Sequence, residues 1–215
     1  MDFRPFDPHG EVTAYRLHLP HWRQPGVTYF ITTRLADSLP QEKLAAWKEE
    51  REQWLRARSC RTTADLERLP AKERQDFHRH FTAQFHAWLD AGYGACWLRR
   101  PDAAQIVAGA LRFFEGERYA LGEFVDMPNH LHLLVTPAPD HELSEIVRSW
   151  KTFTARQING LLGRSGAFWQ AETYDHIVRS EEQFAHYRRY IVENPVKAKL
   201  REGEYFLSGT GKSPP

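Results

Sequence analysis

The spacing of apolar residues along the chain predicts alternating strands and helices. Strands are indicated where apolar and polar residues alternate over short β-branched and aromatic stretches, at 27–35, 118–127 and 130–137 and within 168–180. Helices are indicated where apolar residues recur every three or four positions, at 41–59, 71–90, 102–117, 144–163 and 181–195. Pro195 is expected to end the last helix, because proline lacks the amide hydrogen that a helix interior needs.

The order of these elements predicts an α+β fold with an antiparallel sheet. When the helices within 37–90 are set aside as a helical insertion, the remaining order is strand, helix, strand, strand, helix, strand, helix. This is the βαββαβ order of a ferredoxin-like palm, followed by an extra C-terminal helix. The main domain is therefore expected at 26–205. Residues 1–25, with four prolines, are expected to form an irregular arm, and residues 206–215 a disordered tail.

Composition narrows the class of protein only modestly. The 29 basic and 28 acidic residues give a net charge of +1, so no global positive field indicates nucleic acid, although local patches remain compatible with it. No apolar run approaches the roughly 18 residues of a membrane helix, and the polar N-terminus lacks the apolar core of a signal peptide. Cys60 and Cys96 are far apart and form no CxxC pair. A cytoplasmic protein with reduced thiols and no membrane association is expected.

A pair of histidines is present in the predicted strand at 130–137. His130 and His132 are separated by one residue, so both side chains project from the same strand face, while Leu131 and Leu133 project toward the core. Two neighbouring imidazoles can bind one metal ion. The same alternation is typical of two half-exposed histidines that bind nothing, and two imidazoles alone leave a metal site incomplete.

The last predicted helix carries a second candidate pair. Tyr190 and Asn194 are four residues apart and therefore share one helix face, which places a nucleophilic oxygen beside an oxygen ligand. This spacing is common and does not by itself identify a site. Tyr187, rotated by about 60° from Tyr190 around the helix axis, and Tyr174, near the last strand, are alternative nucleophiles.

Two sequence frames, taken together, resemble a known family. MPNHLHLLV (127–135) contains both histidines, and RRYIVENPVKA (188–198) contains the tyrosine and the asparagine. With the segments CWLRRPDAAQIVAGAL, SWKTFTARQIN and FWQAETYDHIVRSEEQF, they resemble the single-tyrosine HUH transposases, and within these the REP-associated tyrosine transposases. The resemblance extends over about residues 15–205, and most of the insertion carries no recognisable motif.

The resemblance implies a site and a reaction. His130 and His132 match the two metal-binding histidines, and Tyr190 matches the nucleophile. Asn194 matches the residue that completes the metal coordination, a position where related branches have glutamine. Members of the family cleave and rejoin single-stranded DNA at imperfect palindromes through a 5′-phosphotyrosine, with Mg²⁺ or Mn²⁺. The expected location is the bacterial cytoplasm, and both monomers and homodimers are compatible with the family.

Several cations near these motifs are candidates for binding DNA phosphates. They are Arg148, Lys151 and Arg156 on the helix after the histidine strand, and Arg188, Arg189, Lys197 and Lys199 on or just after the last helix. An ordinary solvated basic surface accounts for each of these residues taken singly.

Two other functions are compatible with the same residues. One is a module that binds DNA hairpins without productive cleavage. The other is a histidine-metal hydrolase unrelated to DNA, which would leave Tyr190 without a role.

Overall fold

The protein forms two compact units. The computed structural model describes residues 1–16 and 20–208, without the side chains of residues 14–16, 20, 21, 63, 64, 67, 78, 82, 85 and 86. The first unit comprises Met1–Ala36 and the described residues from Cys96 onward, and the second comprises Asp37–Ala95. The second unit nearly coincides with the insertion expected at 37–90.

The elements follow the predicted order. The strands are β1 (Thr13–Arg16), β2 (Pro20–Arg23), β3 (Tyr29–Arg34), β4 (Tyr119–Met127), β5 (His130–Pro137), β6 (Tyr174–Ile177) and β7 (Phe206–Leu207). The helices are α1 (Gln41–Arg56), α2 (Ala71–Phe77), α3 (Ala83–Asp90), α4 (Pro101–Arg112), α5 (Leu143–Leu161) and α6 (Glu181–Lys197). A 3₁₀ segment at Thr63–Arg68 precedes α2, and a π-helical turn at His78–Thr82 joins α2 to α3.

The main sheet has the ferredoxin-like topology, which confirms the predicted fold class. Its strand order is β6-β3-β5-β4-β7, and every neighbouring pair is antiparallel. The turn at Pro128 and Asn129 joins β4 directly to β5, so these strands pair as a hairpin. Helix α4 connects β3 to β4 after the insertion, and α5 connects β5 to β6.

Both faces of the sheet are buried. Ile31 and Leu133 belong to a cluster that includes apolar side chains of α4 and α5. Phe30 and Leu134, one position along each strand, belong to a second cluster that includes Phe184 of α6. The central strands therefore bury both sets of alternating side chains, and polar residues on either face must find partners inside the protein.

Residues 1–25 are more ordered than the expected irregular arm. Strands β1 and β2 pair as an antiparallel hairpin, although residues 17–19 between them lie outside the described part. The amide of Phe6 donates to the carbonyl of Val178 at 3.3 Å. Arg23 donates to both carboxylate oxygens of Asp175 at 2.6 and 2.8 Å, and both side chains are nearly buried. These long-range contacts connect the arm to the edge strand β6, and local sequence patterns do not reveal them.

Two expectations at the C-terminal end also need correction. Helix α6 does not end at Pro195 but continues to Lys197. A proline in the last turn removes only one backbone hydrogen bond, which costs less there than in a helix centre. The expected tail at 206–215 includes strand β7, in which Phe206 pairs with Asp126. Residues 209–215 lie outside the described part of the chain.

The second unit has its own small core. The buried residues of this core are Leu55, Cys60, Leu66, Phe77 and Phe81, with Trp47 and Trp54 packed against them. The helix expected at 71–90 is interrupted by the π-helical turn at His78–Thr82. The aromatic side chains described there pack against one another, which favours a structural role for them.

Candidate active site

The two histidines lie together under helix α6. His130 and His132 project from β5 on the face that α6 covers, and their ring centroids are 4.6 Å apart. Each is only 1% exposed, so the alternative of two half-exposed histidines is wrong. The apolar residues between them, Leu131 and Leu133, face the opposite cluster as predicted.

Hydrogen bonds orient both imidazoles. Nδ1 of His130 lies 2.7 Å from Oδ1 of Asn129, which can only accept, so Nδ1 carries the hydrogen. Nδ1 of His132 lies 2.7 Å from Oγ1 of Thr32, which is also able to accept. When Nδ1 is the donor in each ring, Nε2 keeps its lone pair, which is the form of histidine that ligates metals. The contact with Asn129 requires this form for His130, and the contact with Thr32 allows it for His132.

Helix α6 supplies the tyrosine and the asparagine. Oη of Tyr190 lies 3.5 Å from Nε2 of His132, a long contact, and the two ring centroids are 5.1 Å apart. Asn194, one turn further, is 1% exposed, and its Oδ1 accepts no hydrogen bond from any described residue. A buried amide oxygen without a donor is costly, which is consistent with a ligand that is absent from the structure.

Packing determines how α6 presents these side chains. The helix begins at a capping serine, where Oγ of Ser180 accepts from the amide of Gln183 at 3.2 Å. Phe184 and Ile191 are buried against the sheet. The ring of Tyr187 stacks on Phe30, with centroids 4.2 Å apart and planes 8° from parallel. These contacts orient the face of α6 that carries Tyr190 toward the histidines.

The alternative nucleophiles are disfavoured by their surroundings. Burial raises the pKa of Tyr187, and the neighbouring Tyr174 and Tyr190 raise it further. Burial, together with the charge of Asp175, raises the pKa of Tyr174 to about 12. A phenol with a raised pKa forms the nucleophilic phenolate less readily. Oη of Tyr190, by contrast, contacts Nε2 of His132, one of the two candidate metal ligands of β5.

The donor set suits a divalent cation only in part. Two imidazole nitrogens and one amide oxygen would hold it, and water or substrate oxygens would complete the coordination. Among the described residues, no group of three or more His, Cys, Asp or Glu side chains could hold a metal. The candidate ligands are therefore electrically neutral, and they provide no charge that balances the cation.

The predicted DNA-binding cations of α5 lie on the other side of the sheet. Arg148 and Arg156 are exposed on α5, which packs on the face opposite the histidines. Lys151 donates to the carbonyl oxygens of Gln170 and Ala171 at 2.5 and 2.9 Å, and to Oγ1 of Thr173 at 3.2 Å. Burial, and next the nearby Arg34, lowers its pKa to about 8. Lys151 thus connects α5 to the segment before β6.

The predicted DNA-binding cations on or just after α6 belong to the same helical segment as Tyr190 and Asn194, unlike those of α5. Arg188 donates to the Glu123 carboxylate at 2.5 Å, which ties α6 to β4. Arg189 is exposed, and Lys197 pairs with Glu193 at 2.8 Å. Lys199, just beyond α6, is exposed and has a left-handed backbone with φ of 56°.

Three residues of the site face were missed in the sequence. Asn129 precedes His130 directly, so its position in MPNHLH was a signal that could have indicated its role. Thr32 and Arg34 lie directly opposite His132 and His130 in the β3–β5 ladder. No local pattern connects them to the histidines, because the pairing joins residues about a hundred positions apart.

In this α+β fold, two histidines of the antiparallel sheet face a tyrosine on a helix. This arrangement defines a candidate active site in which a metal ion would assist attack by a tyrosine nucleophile. A family model described as "Transposase IS200 like" matches residues 81–194, slightly more than half of the chain. The matched range contains both histidines, Tyr190 and Asn194. The chain therefore belongs to the IS200-like transposase family, which confirms the predicted relationship at this level.

Other comparisons give weaker similarities. A solved structure described as a REP-associated tyrosine transposase bound to a REP hairpin is 19% identical, with 88% of this chain and 76% of that chain covered and a TM-score of 0.46. A second, described as a candidate transposase from Deinococcus radiodurans R1, is 17% identical, with 78% and 90% covered and a TM-score of 0.33. No curated protein matches the sequence. Within the described residues, no helix has the length and apolar character needed to cross a membrane.

Proposed function

We propose that this IS200-like transposase family member cleaves and rejoins single-stranded DNA, with Tyr190 as the nucleophile. One observation carries the proposal: Tyr190 and Asn194 of α6 face His130 and His132 of β5, with Oη of Tyr190 3.5 Å from Nε2 of His132. Residues 58 positions apart thus form one group, in which three buried potential ligands lie beside a partly exposed nucleophile.

The reaction needs no external energy source. Oη of Tyr190 attacks the phosphorus, the bond from phosphorus to the 3′ oxygen breaks, and a 5′-phosphotyrosine forms. The phenol loses its proton to solvent, and the departing 3′ oxygen takes one up, so that protons balance. Because the phosphotyrosine retains a phosphodiester bond, a 3′-hydroxyl of another strand can attack it and release the tyrosine. Cleavage and rejoining are then the same step in opposite directions.

A divalent cation, Mg²⁺ or Mn²⁺, is part of the proposal. His130, His132 and Asn194 would hold it, and it would polarise the scissile phosphate and stabilise negative charge on its oxygens. Asn129 and Thr32 keep the two imidazoles in the orientation that exposes Nε2. The unsatisfied Oδ1 of Asn194 supports an oxygen ligand at that position.

The substrate is proposed from the sequence frames. MPNHLHLLV and RRYIVENPVKA resemble the REP-associated branch, whose members act on imperfect palindromes, so a single strand carrying a hairpin is the substrate to test first. The cations Arg188, Arg189, Lys197 and Lys199, on or after α6, would contact its phosphates near the nucleophile. Arg148, Lys151 and Arg156 on α5 would contribute only if the strand continues around the edge of the sheet.

The test uses single-stranded oligonucleotides that carry palindromes from DNA flanking the gene. Wild-type protein and Tyr190→Phe are incubated with them in Mn²⁺, in Mg²⁺ or in EDTA, and covalent adducts are resolved on a denaturing gel. We expect an adduct with the wild type that requires metal and is lost in Tyr190→Phe.

The other outcomes are equally informative. An adduct that persists in Tyr190→Phe would move the nucleophile to another tyrosine. Tight hairpin binding by both proteins without an adduct would favour the binding-module function instead. Hydrolysis of non-DNA substrates that is unaffected by Tyr190→Phe would favour the metal hydrolase.

A further inference from the structure

Arg34 is a cation on the histidine face of the sheet that the proposed reaction has not yet used. It is the last residue of β3 and lies directly opposite His130 in the β3–β5 ladder, just as Thr32 lies opposite His132. Residues directly opposite in an antiparallel pair project from the same face, with Cβ atoms about 4.5–5.5 Å apart. The side chain of Arg34 therefore starts on the face that carries both imidazoles.

The backbone around Arg34 is held by the same turn that orients His130. Its carbonyl accepts from the amide of Gln170 at 2.9 Å, and the next amide, of Leu35, donates to the carbonyl of Asn129 at 2.9 Å. Asn129 is also the residue whose Oδ1 contacts Nδ1 of His130. The position of Arg34 relative to the candidate ligand is thus fixed by hydrogen bonds on both sides of the strand.

Arg34 keeps its positive charge although its side chain is partly buried. The residue is only partly exposed. Burial lowers the pKa of its guanidinium to about 10, against the opposing effect of Glu172, so Arg34 stays protonated at neutral pH.

The charge of the candidate site with a bound cation would be positive, which favours binding of an anion. The candidate ligands are two imidazoles and an amide, all neutral, and a bound divalent cation beside Arg34 would add two further positive charges. Glu172 offsets part of this positive charge. A phosphate is an anion whose planar pairs of oxygens match the paired donors of a guanidinium.

We propose that Arg34 binds the scissile phosphate directly and stabilises the negative charge that develops on its non-bridging oxygens during attack by Tyr190. This inference rests on the proposed strand-transfer function and extends it by one catalytic residue. Removal of one such donor commonly slows a reaction by about 10²–10³-fold. Arg34→Lys retains the charge but lacks the fork of donors, so its rate should fall between those of the wild type and Arg34→Ala.

A structural role for Arg34 is the alternative that the test must separate. In that case Arg34 would only connect the end of β3 to the segment near Glu172. Glu172→Gln would then impair the reaction as much as Arg34→Ala does. Both variants are therefore compared with Arg100→Ala as a matched control, which removes an exposed arginine whose carboxylate partner is Asp102.

The experiment measures the single-turnover rate of adduct formation at saturating hairpin DNA, and separately the Kd for that hairpin. Each protein is assayed with a normal scissile phosphodiester and with a methylphosphonate there, which carries no charge. We expect Arg34→Ala to slow adduct formation on the normal substrate by about 10²-fold. The Kd for the hairpin should rise by less than about fivefold, because only one of several phosphate contacts is lost. On the methylphosphonate, the wild type and Arg34→Ala should react at similar rates. Added guanidinium should restore part of the rate of Arg34→Ala.

Three results would overturn the inference. They are an unchanged rate in Arg34→Ala, an equal loss in Glu172→Gln, and the same ratio of wild-type to Arg34→Ala rates on both linkages. In each of these the wild type still forms the adduct, so the proposed function stands. If the wild type forms no adduct with either linkage, the proposed function fails and the role of Arg34 fails with it.

Discussion

Asp126 is a buried carboxyl whose ionisation should make folding depend on pH. It lies in β4 opposite Leu131, on the face away from the histidines. Its exposed fraction is 0%, and neither carboxyl oxygen has a hydrogen-bond partner among the described residues. Burial raises its pKa well above the ordinary value of 3.8. The folded protein therefore keeps this proton at pH values where the unfolded chain has released it.

The direction and size of the effect follow from proton linkage. Between the pKa of the unfolded chain, about 3.9, and the raised folded pKa, the folded state binds one more proton than the unfolded state. The free energy of unfolding then falls as pH rises, by about 1.4 kcal/mol per pH unit for a single group. Asp126→Asn removes the titrating group and nearly preserves the shape of the side chain. From pH 5 to pH 6, the wild type should lose up to about 1.4 kcal/mol relative to this variant, the full amount where the folded carboxyl keeps its proton throughout.

The assay is urea denaturation of both proteins, without added metal, at pH 5, 5.5 and 6. The difference in unfolding free energy between the variant and the wild type should grow steadily over this range. Asp102→Asn is a useful control, because Arg100 lowers the pKa of that carboxyl. Asp102 is then ionised in both the folded and the unfolded state from pH 5 to pH 6, so this variant should leave the pH dependence unchanged. Parallel curves for the wild type and Asp126→Asn would refute the argument that Asp126 is held neutral in the folded protein.

Two further predictions concern the arm and the choice of tyrosine. Arg23→Ala should lower the free energy of unfolding by about 3–5 kcal/mol in a urea titration, because it removes the bidentate partner of the nearly buried Asp175. Lys197→Ala breaks an exposed ion pair and should cost less than about 1 kcal/mol in the same titration. Tyr187→Phe retains the ring that stacks on Phe30, so adduct formation should be unchanged; loss of the adduct would identify Tyr187 as the nucleophile.

Local sequence patterns were sufficient for the central strands and helices and for the pairing of site residues within single elements, but not for strands β1, β2 and β7. Alternation in β5 predicted that His130 and His132 share one face, because strand side chains alternate with a period of two. Helical spacing predicted that Tyr190 and Asn194 share one face of α6 for the corresponding reason. The order of elements predicted the ferredoxin-like sheet, because few topologies connect such an order without crossings.

Only the tertiary structure decided which faces meet. Whether α6 or α5 covers the histidines depends on packing between residues far apart in sequence, such as Tyr187 on Phe30, and no local period encodes it. That packing placed Arg148 and Arg156 on the far side of the sheet and brought the unpredicted Thr32 and Arg34 beside the imidazoles.

The sequence by itself thus determined the central strands and helices, the fold class and the candidate histidine, tyrosine and asparagine residues, because these follow from periodicities within single elements and from two short motifs. The tertiary structure alone decided the burial of the histidines, the partners of their Nδ1 atoms, the burial of Asp126 and the pairing of Phe206 with β4. Apart from the contact between the adjacent residues Asn129 and His130, these features depend on contacts between elements far apart in sequence, such as that of Thr32 with His132.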